Sequence, residues 1–145
     1  VTAEVRPICL LDFETRSEAD LKEVGAWRYS EDPSTTVLCF SYKFGDYPTL
    51  LWKPPEVFPQ CILDHIAAGG AMEAHNAMFE YAVWLNVLHK RLGLPMPTRW
   101  KDTMAVCAYR SLPLKLDTVG TVLRLDVRKD DRGKELIKLL CKPTK

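Results

Sequence analysis

The sequence has no CxxC pair and no HExxH, so its five cysteines and three histidines do not compose a zinc site of known spacing. The cysteines (9, 39, 61, 107 and 141) are odd in number, widely separated and mostly set among apolar neighbours. That excludes a small disulfide framework and is the pattern of reduced, buried thiols in an intracellular protein. No apolar run approaches bilayer-spanning length and no charged-then-apolar segment marks a signal peptide, so no membrane partner is expected. Charge of one sign is lacking as well. Twenty Lys+Arg against 19 Asp+Glu leave a net +1, which neither proclaims nor excludes a nucleic acid partner. No internal repeat or low-complexity tract occurs. There is no initiating methionine either: the chain runs from Val1 to "KELIKLLCKPTK" without a closing element, so a piece of something longer is expected.

What is present is an ordinary globular composition, 47% hydrophobic and 27% charged, over 145 residues, enough for one domain with a respectable core. Ile8–Phe13 reads as a buried first strand, and Thr36–Phe44, rich in β-branched and aromatic residues, as a second. "GDYP" supplies a turn, and "TLLWK" completes a hairpin. Prolines break the chain before a short helix, Gln60–Ala68, ended by Gly69-Gly70; Ala71–His75 is a brief strand. From Met78 the period changes: Met78, Ala82, Leu85, Leu88 and Leu92 recur at helical spacing until Gly93. "TRWKDT" reads as an edge strand, followed by helices at Met104–Arg110, Thr118–Leu125 and Gly133–Cys141. Between Glu14 and Thr36 the pattern predicts no element. Strands first, then strands alternating with helices, predict an α/β domain with a mixed sheet.

Acidic residues carry the chemistry. In "ICLLDFETRSE" Asp12 and Glu14 follow an apolar strand directly, and residues i and i+2 of a strand share a face. They project together at the end of a central strand, where open α/β sheets place their ligands. By itself the triplet is as well read as two solvated strand-end residues. In "EAHNAMFEYAVW", Asn76 falls at a helix N-cap and Glu80 on the first turn, near the same sheet edge. Helix-dipole stabilisation would account for Glu80 equally well. Phe79 and Trp84 read as core rather than as a platform for substrate. Asp102 and Asp117 each precede an apolar helix and read as N-caps. Three carboxylates converging on one edge repel each other unless cations neutralise them, and hard divalent ions choose carboxylate oxygens.

"LDFET", "AHNAMFEYAVW", "KDTM" and "LKLDTVG", in this order and spacing, resemble the proofreading 3′–5′ exonuclease domain of family A (polymerase I-like) DNA polymerases, closest to the phage versions. That domain belongs to the DEDD exonucleases of the ribonuclease H-like superfamily. The resemblance covers essentially the whole chain. It implies a five-stranded mixed sheet, strand 2 antiparallel, flanked by helices. It also implies two Mg²⁺ or Mn²⁺ ions held by Asp12, Glu14 and Glu80, where the family more usually has aspartate at the last position. Substrate contacts fall at Thr15, Asn76 and Phe79, and Asp102 and Asp117 are supporting. The implied substrate is a single-stranded DNA 3′ end, the product a nucleoside 5′-monophosphate. The implied partner is a polymerase domain of the same parent chain, in a host cytoplasm if phage-encoded.

One departure stands out. The family's third motif, a tyrosine or histidine followed by aspartate, should come after "LDTVG". No Y-x-x-x-D or H-x-x-x-x-D occurs there, and Asp126, Asp130 and Asp131 lie in a polar loop. The expectation is an exonuclease domain, residues 1–145, truncated before that motif. The alternatives are a non-catalytic ribonuclease H-like nucleic-acid-binding or structural domain, and an exonuclease acting on RNA.

Overall fold

The computed structural model describes residues 7–126 together with Leu140 and Cys141. Five strands form one sheet in the order β3-β2-β1-β4-β5. β1 (Cys9–Arg16) lies at the centre, antiparallel to β2 (Thr36–Phe44), which is antiparallel to β3 (Leu50–Trp52). On its other side β1 runs parallel to β4 (Ala71–Ala74), and β4 parallel to the edge strand β5 (Arg99–Asp102). The mixed sheet, its antiparallel second strand and the edge position of "TRWKDT" are all as expected.

β1 is longer than the apolar run predicts, and it alternates. Cys9, Leu11, Phe13 and Thr15 are buried, whereas Leu10 is 38% exposed and shares its face with Asp12. The unbroken burial expected of Ile8–Leu11 is therefore replaced by a two-sided strand, and both acids lie inside it rather than at its end. Phe13 meets Phe40 edge-on at 5.2 Å and Trp84 at 6.1 Å. Ile62, Met72 and Leu88 complete this core, each contributing about 1.5–3 kcal/mol by burial.

Helix α1 (Leu21–Glu31) occupies the stretch for which no element was predicted. Asp20 caps it by accepting from the Lys22 amide at 2.9 Å, and Gly25, at φ 76°, kinks it. α2 (Gln60–Ala67) ends on Gly69, also left-handed, as expected. α3 (Ala77–Val83) runs without a break through a π-helical stretch, Trp84–His89, into α4 (Lys90–Leu92), ended by left-handed Gly93. The π turn rotates the buried face. Ala82 and Leu88 of the predicted apolar stripe are buried, but Met78 and Leu92 at its ends are 59% exposed, and Trp84 and Val87 off the stripe are buried. α5 (Thr103–Tyr109) and α6 (Leu116–Val122) follow β5. Lys115, not Asp117, occupies the N-cap of α6, so the capping expected of Asp117 is corrected to a place within the first turn. The helix expected over Gly133–Cys141 lies, but for its last two residues, outside the described residues, as do Asp130 and Asp131. Asp126 is exposed.

α1 is fastened to the α3–α4 arm by polar contacts. Arg91 donates to the carbonyls of Thr35 and Asp32 at 2.8 Å each and to those of Ser30 and Pro33 at 3.2 and 3.3 Å. Asn86, buried on the π turn, donates to Ser30 Oγ at 2.8 Å. Arg91→Ala should lower stability by about 1–3 kcal/mol. Arg91→Lys should recover little of it, because one ammonium cannot reach carbonyls on several residues at once. Denaturant unfolding of the three proteins checks this, and equal midpoints would show that the clamp holds nothing.

Candidate active site

The strands β1, β4 and β5 run parallel, and of the acids expected to form the site only Asp12 and Asp117 line the cleft beside them. β1 pairs with β4 through Leu10 and Glu73, so continuing that register brings Asp12 level with His75. Both line an open cleft of about 890 Å³ that also includes Ser41, Thr103 and Asp117. Asp12 is exposed and Glu14 half-buried, on the face of β1 away from Phe13. Their field reaches β2: the Cys39 thiol, opposite Glu14 in the ladder, is pushed up by burial and then by Glu14 and Asp12. Cys141 is pushed up by burial and then by Glu14.

Glu80, on the first turn of α3, is only 3% exposed. Burial first, then the carboxylates of Asp12 and Asp102, push its pKa from 4.5 up to about 8, against the pull of the backbone amides of Glu80 and Phe13. One of its oxygens, Oε2, is buried with no hydrogen-bond partner. A buried acceptor left unmet is costly, and it faces a neighbouring acid. An orphaned carboxylate oxygen is what a hard divalent cation would satisfy, so this one oxygen suits such an ion. Among the described residues, however, no three His, Cys, Asp or Glu side chains gather closely enough to hold a metal.

Asp102 works as a fastener. Its Oδ1 caps α5 by accepting from the Met104 amide at 2.8 Å and accepts from the Asn76 amide at 3.0 Å, joining β5 to the β4–α3 turn. Asn76 occupies the predicted N-cap position, but in the left-handed region (φ 73°) and with no capping bond from its side chain. Asparagine tolerates that conformation better than other non-glycine residues. Phe79 is half-buried, 6.1 Å from Tyr29. Thr15 is buried, its hydroxyl 2.9 Å from that of Tyr29. Asp117 accepts from the Thr118 amide at 2.7 Å.

Sequence reasoning missed His75, which stands beside the acids. Its Nε2 lies 2.7 Å from the Leu114 carbonyl, which can only accept, so Nε2 carries a proton, and its Nδ1 lies 2.9 Å from the Thr103 hydroxyl. The only signal was its place between a short strand and Asn76.

No family model matches the chain. In sequence it is similar to a DNA polymerase of Bacillus phage SP02, 33% identical over 141 residues, which is 93% of this chain and 21% of that protein. In structure it is similar to Escherichia coli RNase D, an exoribonuclease involved in structured RNA processing, with TM-score 0.60 and 16% identity over 89% of this chain and 30% of that one. The fold is ribonuclease H-like. The resemblance read from the four motifs thus has counterparts in a polymerase sequence and in an exonuclease fold. The ribonuclease H-like domain spans about a fifth of the polymerase it matches. Among the described residues no helix is long and apolar enough to cross a membrane.

Glu80 generates a pH prediction. Its folded value, about 8, lies above the 4.5 of an unperturbed glutamate, so the folded state holds a proton that the unfolded state has lost. Stability from this group is full below pH 4.5 and is lost as pH rises toward 8, by at most about 1.4 kcal/mol per pH unit. Melting curves in EDTA across this window should fall for the parent relative to Glu80→Gln. Parallel curves would show that Glu80 stays ionised.

Proposed function

We propose that this chain is the metal-dependent 3′–5′ exonuclease domain of a DNA polymerase, acting on single-stranded DNA 3′ ends and releasing nucleoside 5′-monophosphates. The observation that carries it is Glu80: a buried carboxyl with an orphaned oxygen, pressed by Asp12 at the end of the parallel strands. Similarity to a phage DNA polymerase over nearly the whole chain supports the assignment to DNA and to a parent chain with a polymerase domain.

Asp12, Glu14 and Glu80 would hold Mg²⁺ or Mn²⁺. Bound ions of this kind lower the pKa of water and offset charge on a phosphodiester. The remaining work belongs to the protein. β1 holds Asp12 and Glu14 side by side on a rigid element. Asp102 fixes the turn that carries Asn76 and Phe79, which would meet the terminal nucleotide. Glu80, its pKa pushed up to about 8, adds little charge beside Asp12 below that pH. A frayed end suits the reading because a paired terminus would have to unstack to enter.

A second reading, a non-catalytic nucleic-acid-binding domain, is favoured by one observation: no three metal donors gather among the described residues. Binding of Mn²⁺ separates the two. Turnover is a weaker guide, since the chain contains no tyrosine–aspartate motif after "LDTVG". Missing positioning of that kind commonly costs about 10²–10⁴ in rate.

Asp12→Ala should remove more Mn²⁺ affinity than any other single change, and Glu80→Ala should weaken mainly one of the two ions. In EDTA, Asp12→Ala should melt at or above the parent temperature, because a repelling charge has gone. Calorimetry and melting curves check both statements. Tight binding of two ions by Asp12→Ala would sink the nuclease reading.

A further inference from the structure

β1 has a strand on both sides only at its start. β4 pairs with it at Cys9 and Leu10, and beyond them β2 is its one paired strand, while the Phe13 amide meets Glu80. That ladder is regular from Cys9 opposite Phe44 to Glu14 opposite Cys39, then slips, and Thr15 faces Val37. The slip falls immediately after Glu14. A one-residue shift of this strand would exchange its faces, turning Asp12 and Glu14 into the core and Phe13 out of it.

The end of β1 is anchored instead by buried hydroxyls. Thr15 Oγ1 meets Tyr29 Oη at 2.9 Å, and Thr35 Oγ1 donates to Ser17 Oγ at 2.7 Å. Every one of these partners lies between Tyr29 and Thr35, the segment whose carbonyls Arg91 grips. Tyr29 is 5% exposed and its ring stands against Phe79 on α3, next to Glu80. Shifting β1 by one residue would leave both the Thr15 and Tyr29 hydroxyls buried and unpaired.

We propose that Tyr29 is a positioning residue: its hydroxyl, paired with that of Thr15, pins the slipped end of β1 and so sets where the Glu14 carboxylate stands. Arg91 and Asn86 act through it by holding α1 in place. The proposal rests on the nuclease reading only for the use made of Glu14; the placement itself needs no metal.

The experiment uses the 145-residue chain, Tyr29→Phe, Thr15→Val and the double variant. Carboxyl ¹³C resonances are recorded without metal, that of Glu14 being assigned through Glu14→Gln, and Mn²⁺ is titrated as the probe. Each single variant leaves one hydroxyl unpaired and should melt lower. The double variant removes both and should recover most of the melting temperature. The Glu14 resonance should nevertheless stay displaced in Tyr29→Phe and in the double variant, with that of remote Glu56 unmoved. Mn²⁺ dissociation constants should rise about 10–100-fold in both. A merely structural tyrosine would show affinity and resonance recovering together with stability, and that result overturns the proposal. If a single variant fails to fold, the double variant decides. If the parent chain binds no Mn²⁺, the nuclease reading falls, and the Glu14 resonance alone decides the role of Tyr29.

Discussion

Everything about this domain hangs on the parity of its central strand. Leu11, Phe13 and Thr15 face the core, so Asp12 and Glu14 must face away from it, and no local rearrangement can move one set without the other. Phe13 is the strongest guard of that parity. Wedged between Phe40 and Trp84, it could not be exchanged for a carboxylate without losing its burial and stranding a charge in an apolar interior. The core of one face thereby specifies the chemistry of the other.

A second constraint opposes the first. Glu80 is held inside the same core by α3, close enough to Asp12 for the two charges to be felt. Burial first, and the charges of Asp12 and Asp102 after it, push the carboxyl up to about 8. Such an arrangement lowers stability as pH rises through neutrality.

The two likenesses divide along the same line. At 16% identity RNase D shares the scaffold, and its own substrate says nothing about this one. At 33% the phage polymerase shares sequence along nearly the entire chain. The scaffold explains why acids can converge at the end of β1. What is done with them depends on residues that ring the cleft, and those, His75 and Thr103 among them, are joined by hydrogen bonds across different elements.

The sequence by itself determined the strand period, and with it the shared face of Asp12 and Glu14; it also determined β2 to the residue, since β-branched and aromatic side chains at Thr36–Phe44 are a local signal. Capping by Asp102 was legible for the same reason, being a bond to an amide two residues away. α1 was not. Its buried side chains are only Tyr29 and Ser30, Leu21, Val24 and Trp27 are exposed, and Gly25 interrupts it, so no amphipathic pattern was written there. Nor was the rotation of the α3 face legible, because a π turn adds a residue without any compositional mark. The burial of Glu80, its encounter with Asp12 and Asp102, and the Tyr29–Thr15 bond were decided by tertiary structure alone. Each joins residues at least 14 positions apart, and distance in space between such residues is set by how elements pack, which no local pattern encodes.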